Sequence, residues 1–230
     1  MHKVEHGVAI VLALGVVRRT YYTQSLEMTT ALLVVDILKD FQEGGPLPVP
    51  GTDAEFIRDV NRIIDGNPWA AVYYIRDSHP DKHIADPDVL GVAPYTVVTL
   101  PNGRKQTAWP RHCKVGTPGA DFMDGLHRHP LGIDILKGQF PNVESYSAFG
   151  DETPGHVEER TPLASLLRKS NISHVAIIGV ATCVCVKATA LDAIKEGFSA
   201  TVVSTGVRGL SPESVAAAIT EMRAAGVSVI

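Results

Sequence analysis

The chain has 230 residues, 45% of them hydrophobic and 20% charged, with a formal net charge of −4. This is ordinary globular composition, long enough for one domain with a full core, and it offers no basic field to hold nucleic acid or anionic lipid. Three cysteines (Cys113, Cys183 and Cys185) are too few for a disulfide framework and fit a reducing, cytoplasmic setting.

The first segment stands apart. Gly7 to Val17 is an apolar run followed by Arg18 and Arg19. A membrane-spanning helix needs about 20 apolar residues, so this run is too short to be one. Residues 1–28 read either as an extension outside the fold or as an organelle-targeting segment, with the domain itself over 29–230.

From there the elements alternate. Ala31 to Ile37 is a near-continuous apolar run, as a buried parallel strand requires. Thr52 with Glu55 predicts a capping box, and Phe56, Val60, Ile63 and Ile64 give the stripe of a helix behind it. Ala70 to Arg76 is a second strand. Residues 80–130 are rich in Pro, Gly and His and read as one long irregular loop, a length that usually carries function. Ile133 to Leu136 is a third strand, and Thr161 with Pro162 starts a helix. His174 to Val180 is a fourth strand, Val186 to Glu196 a helix closed by Gly197, and Ala200 to Ser204 a fifth strand. Ser211, Pro212 and Glu213 open a last helix through Ala225, and Val227 to Ile230 ends the chain as a strand. Strands alternating with helices imply a three-layer α/β/α fold with a mostly parallel central sheet.

In such sheets ligands bind beyond the carboxyl ends of the strands, and the chemistry-bearing residues fall there. Asp36 lies directly after an apolar run, where a carboxylate is costly without a partner. Asp77 and His79 follow the second strand, Lys137 the third, and Cys185 the fourth. A cysteine at a helix N-terminus feels the positive end of the helix dipole, which favours thiolate at Cys185, and Lys137 nearby would stabilise it. Asp36 suits a general base for that thiol. Asp77 and His79, two apart in extended chain, point the same way. With His112, and His83 beside them, they offer the oxygen and nitrogen ligands of a catalytic divalent metal. The other histidines (127, 129, 156 and 174) are expected at the surface. Phe41, Trp109 and Tyr146 pack into the core or wall a flat aromatic substrate. Taken singly, each residue also has a plain reading: a buried free thiol, a solvated lysine, a turn aspartate.

The ordered segments VVDILKDF, GGPLPVPG, RDSHPDKH, TAWPRHCKVGTPGA, LKGQF, ESYSAFGD and GVATCVCVKATALDA resemble the isochorismatase-like cysteine hydrolases, and among them the nicotinamidases. The likeness spans residues 31–230. It implies an isochorismatase-like hydrolase fold and a catalytic triad of Asp36, Lys137 and Cys185. It also implies metal ligands Asp77, His79 and His112 with His83 close by, and pocket residues Phe41, Trp109 and Tyr146. It further implies a cis peptide before Ala181 that turns the backbone N–H groups of Ala181 and Cys185 toward an oxyanion. The activity implied is hydrolysis of nicotinamide to nicotinate and ammonia through a cysteine thioester, serving NAD salvage, by a homo-oligomer. The metal implied is zinc, with iron or manganese also tolerated by these ligands. A related amidohydrolase acting on another small amide or carbamoyl compound is the alternative, and a non-enzymatic binding protein with an inert cysteine is a third. Two positions depart from the family pattern. Leu38 and Lys39 replace a customary Gln-Asn, so Lys39 is expected to alter the pocket rim. Cys183 replaces a customary aspartate, and spacing favours Cys185 as the acting thiol.

Overall fold

A computed structural model describes residues 29–150 and 160–230. The expected N-terminal extension over 1–28 and His156 lie outside the described residues. Six strands form one sheet: β1 (Thr30–Val35), β2 (Ala71–Asp77), β5 (Gly132–Lys137), β6 (His174–Val180), β7 (Ser199–Arg208) and β8 (Ser228–Val229), in the order β5-β2-β1-β6-β7-β8. Every pairing in it is parallel. The order runs outward in both directions from β1 and β6, so the crevice between their carboxyl ends is the topological switch point.

Strand alternation sends side chains to two cores. Leu33, Val35, Tyr73, Ile75, Ile135 and Ile177 face one side, against α3 (Leu163–Lys169), α4 (Lys187–Lys195) and α5 (Pro212–Ala224). Leu32, Val34, Val72, Tyr74 and Ile178 face the other, against α1 (Ala54–Asp65) and the residues Cys113 and Met123 of the long connection. Helices therefore cover both faces, as the three-layer expectation requires. Among the described residues no helix is long and apolar enough to cross a membrane.

Three sequence expectations need correction. The cap of α1 is Asp53, whose carboxylate accepts from the N–H groups of Glu55 and Phe56 at 2.9 Å each. Thr52 instead turns inward and donates its hydroxyl to the carbonyls of Val49 and Phe41. The connection 78–131 is not irregular throughout. It carries the short helix α2 (Pro87–Leu90), a hairpin of β3 (Val97–Thr99) and β4 (Lys105–Thr107), and a 3-10 turn at Pro118–Ala120. Lastly, β7 extends past Ser204 to Arg208, because a bulge opposite Ile177 and Gly179 interrupts the ladder before pairing resumes at Val207.

Replacing Asp53 by Ala is expected to cost about 1 kcal/mol of stability, the usual value of a lost helix cap. Urea unfolding of the two proteins measures it, and an unchanged midpoint would assign the cap elsewhere.

Candidate active site

Asp77 and Lys137 are the last residues of adjacent parallel strands and stand opposite one another in register. Their side chains share the face of Ile75 and Ile135, so the ammonium and carboxylate meet in a direct ion pair above the sheet. Asp36 follows β1 with a positive φ of 51°, an uncommon conformation for a residue with a side chain. Its own N–H donates to the Ile75 carbonyl at 3.0 Å, and its carboxylate accepts the Asp77 N–H at 2.9 Å. That turn brings its other oxygen to 3.0 Å from Lys137 Nζ. Beyond β6 the peptide Val180–Ala181 is cis, and Thr182–Val186 form a single π-helical turn leading into α4. This turn carries Cys185 Sγ to 3.4 Å from Lys137 Nζ. Four strand ends thus deliver Asp36, Asp77, Lys137 and Cys185 to one buried cluster, with Lys137 only 2% exposed.

Burial governs the protons here. It pushes Asp36 up to about 7, and the neighbouring Asp77 carboxylate adds to the effect while Lys137 opposes it. For Asp77, burial alone would act upward, but the Lys137 ammonium and the imidazoles of His79 and His112 hold it well below the carboxylate range. Lys137 stays charged, since Asp36 and Asp77 outweigh its desolvation. Cys185 is raised well above an ordinary thiol, by burial first, with the Lys137 ammonium opposing and the two carboxylates adding to it. In this cluster desolvation and two carboxylates work against the thiolate that the helix position and the lysine favour, which suits a thiol with a base beside it.

The second set is Asp77, His79 and His112, whose candidate ligand atoms lie within 4.8 Å of one another. Nε2 of His79 and of His112 stand 3.8 Å and 3.7 Å from Asp77 Oδ2. The opposite nitrogens are committed: Nδ1 of His79 donates to the Gly138 carbonyl at 3.0 Å, and Nδ1 of His112 to the Pro110 carbonyl at 2.6 Å. A carbonyl only accepts, so each ring carries a proton on Nδ1 and turns Nε2 inward toward Asp77, the orientation of metal-binding imidazoles. Nε2 of His79 is buried without a hydrogen-bond partner. Two imidazole nitrogens and a carboxylate oxygen converging in this way fit a divalent metal. His83 is placed differently. Its ring stacks on His79 at 4.1 Å, but its Nε2 donates to Val143 and its Nδ1 accepts from Ala85. The structure sets it behind His79 rather than in the Asp77–His79–His112 set.

Both sets border one cavity, into which Asp77, His112 and Cys185 open. Phe41, Trp109, Tyr146 and Ala181 line it, and Trp109 Nε1 donates to the Tyr146 hydroxyl at 2.9 Å. Sequence reasoning missed Leu47, Val49, Val184 and Leu210, which complete its apolar wall, and Glu144. Glu144 is fully buried, its carboxyl raised by desolvation, and its Oε2 lacks a hydrogen-bond partner. A signal was available: a carboxylate two residues before Tyr146, directly after the apolar Val143. Lys39 does not line the cavity, because it turns away to pair with Asp124 at 2.8 Å. Cys183 is half-buried and does not line it either, which leaves Cys185 as its only thiol. Of the other histidines, His127 is exposed while His129 and His174 are half-buried.

A family model described as the isochorismatase domain matches residues 30–230. The chain belongs to the isochorismatase family. Among individual isochorismatase-family relatives, the nicotinamidase of Escherichia coli is 39% identical over 203 residues, covering 85% of this chain and 92% of that protein. A pyrazinamidase of Pyrococcus horikoshii, solved in complex with zinc, is 36% identical with a TM-score of 0.71, covering 88% of this chain and 98% of that one. The yeast nicotinamidase bound to the inhibitor nicotinaldehyde is 29% identical with a TM-score of 0.80, covering 87% and 99%.

Two substitutions test this arrangement. A Cβ on Gly138 would lie 2.6 Å from His79 Cε1 and force the ring aside. Gly138→Ala is therefore expected to weaken zinc binding by about 10–100-fold, the scale of a disturbed outer-shell contact, as read by competition with a chromogenic chelator. Unchanged affinity would remove His79 from the ligand set. Lys137→Met leaves two carboxylates facing each other in the interior and is expected to cost about 3 kcal/mol in urea unfolding.

Proposed function

We propose that this protein is a nicotinamidase, hydrolysing nicotinamide to nicotinate and ammonia in NAD salvage. One observation carries the reading: the Asp36–Lys137–Cys185 cluster and the Asp77–His79–His112 donor set open into the same aromatic-walled cavity. The first set suits attack on a carboxamide. The second suits recognition of a heteroaromatic nitrogen across the ring. The names of the relatives support the same substrate. A small amide or carbamoyl substrate without a ring nitrogen would have no use for the second set.

Phe41, Trp109 and Tyr146 hold the pyridine ring flat and keep water from its faces. When bound, the metal supplies a positive anchor for the ring nitrogen, and zinc is the metal proposed, on the donor chemistry and the zinc-bound relative. Asp36 takes the proton from Cys185 as Sγ attacks the carboxamide carbon. Lys137, held between Asp36 and Asp77, offsets the negative charge that develops at sulfur. The backbone N–H groups of Ala181 and Cys185 hold the oxyanion, a contribution worth about 10²–10³ in rate per donor. Asp36 then returns the proton to the departing ammonia, leaving a thioester. Water, deprotonated by Asp36, hydrolyses it and restores the thiol.

We also propose a homo-oligomer in a reducing, cytoplasmic setting. Support for the first is β5, an edge strand among the described residues, with exposed Leu131, Ile133, Leu136 and Phe140 on and beside it, which a second copy would cover. Support for the second is the three unpaired cysteines.

Purified protein is expected to release ammonia from nicotinamide, to lose that activity on chelation, and to regain it with zinc. Cys185→Ala is expected to abolish it, and full turnover by that variant would rule out the thioester route. The pH profile follows from Asp36. Its base form is the working form and is populated above a value pushed up to about 7. Accordingly kcat/KM is expected to fall as pH drops through about 7, rather than near the ordinary carboxylate range. A profile flat from pH 5 to 8, measured with the metal site kept saturated, would contradict this assignment.

A further inference from the structure

A second pocket borders the metal-type ligands His79 and His112. Its inner end is formed by the buried rings of His79, His83 and His112. Its rim carries two ion pairs. Arg111 reaches Asp86 with Nε at 2.7 Å and Nη2 at 2.6 Å, and Lys114 pairs directly with Asp81. Arg111, Lys114 and Asp81 are substantially exposed, so these pairs stand between the histidines and solvent. Trp109 and His112 line both cavities and form the partition between them. Cys185 opens only into the first.

The two cavities differ in chemistry. An ion bound by Asp77, His79 and His112 must come and go, yet all three side chains are at most 7% exposed. The first cavity leads to them past Phe41, Leu47, Val49, Val184 and Leu210. An apolar mouth admits a flat aromatic amide readily and a hydrated dication at a high desolvation cost. The second carries three imidazoles and the carboxylates of Asp81 and Asp86, which can replace water ligands one at a time, beside the cations Lys82, Arg111 and Lys114 that hold a dication back.

We infer that the second cavity is the passage by which a hydrated divalent cation reaches and leaves the Asp77–His79–His112 set, gated by the Arg111–Asp86 and Lys114–Asp81 pairs. Substrate and metal then use separate doors. The inference rests on the metal assignment made above. Arg111 and Lys114 act as gate residues: removing either opens the rim and leaves a carboxylate facing the entering cation.

The test is zinc exchange by the full-length protein. Association is followed by stopped flow with zinc, and dissociation by transfer to a chromogenic chelator in excess. A lowered barrier speeds entry and exit alike, whereas a damaged ligand set speeds exit alone. Arg111→Ala is expected to raise the association rate constant about tenfold, the lower end of what local charge does to an on-rate, and to raise the dissociation rate constant by no more than that. Lys114→Ala gives an independent reading should Arg111→Ala fold poorly. Leu210→Trp, which narrows the first cavity, is expected to slow nicotinamide turnover and leave both zinc rate constants unchanged. Faster dissociation with unchanged association in both rim variants, or slowed exchange in Leu210→Trp, would overturn the passage while leaving the metal site standing. A wild-type protein that binds no stoichiometric zinc would overturn the metal site and the passage together.

Discussion

The ammonium of Lys137, buried between the carboxylates of Asp36 and Asp77 and touching Cys185 Sγ, is the interaction on which the rest of the site depends. A cation at that depth persists only because two carboxylates surround it, and those carboxylates persist there only because of the cation. The arrangement leaves one negative charge more than it neutralises. Burial first, and that excess second, keep a proton on Asp36 near neutrality, while Asp77, closer to both Lys137 and the imidazoles, stays ionised. Two carboxylates of the same type are thereby given different tasks. One moves protons at the thiol, and the other stays ionised as a link between the lysine and the metal-type ligands.

Sheet topology makes this possible without long-range contortion. Asp77 and Lys137 meet because β2 and β5 are parallel and in register. Asp36 and Cys185 arrive from β1 and β6, the two strands where the order reverses. The long connection between β2 and β5 then supplies His79, His83, Trp109 and His112, and it is tied down where it matters. Asp40 accepts the Cys113 N–H at 2.7 Å, fixing the backbone next to His112, and His79 N–H donates to the Cys113 carbonyl. These hydrogen bonds tie the loop that carries most of the recognition chemistry to the segment after β1 and to itself.

Much of this was legible in the sequence because strand ends announce themselves. Apolar runs that stop at Asp36, Asp77, Lys137 and the Ala181 turn locate four residues at one sheet edge, and parallel alternation does the rest. Asp53 was overlooked as a cap because Thr52 is an equally good N-cap type, and only the loop packing that pulls Thr52 inward decides between them. The electrostatics at Cys185 were only partly legible, because its place at the start of a helix is a local feature whereas the burial, the lysine and the two carboxylates acting on it are tertiary. Glu144 and the apolar wall at Leu47, Val49, Val184 and Leu210 stayed hidden because a pocket wall is composed from several loops, none of which has a period. Lys39 faces Asp124 for the same reason: its partner lies 85 residues away in the chain.

The central claim is that Cys185 attacks the carboxamide and carries the acyl group. Rapid acid quench of the protein during nicotinamide turnover, followed by peptide mass spectrometry, tests it most directly. The account predicts a nicotinoyl adduct on the peptide holding Cys183 and Cys185, mapped by fragmentation to Cys185, and lost in Asp36→Asn. An adduct on Cys183 or Cys113, or turnover with no acyl-enzyme at any quench time, would contradict it.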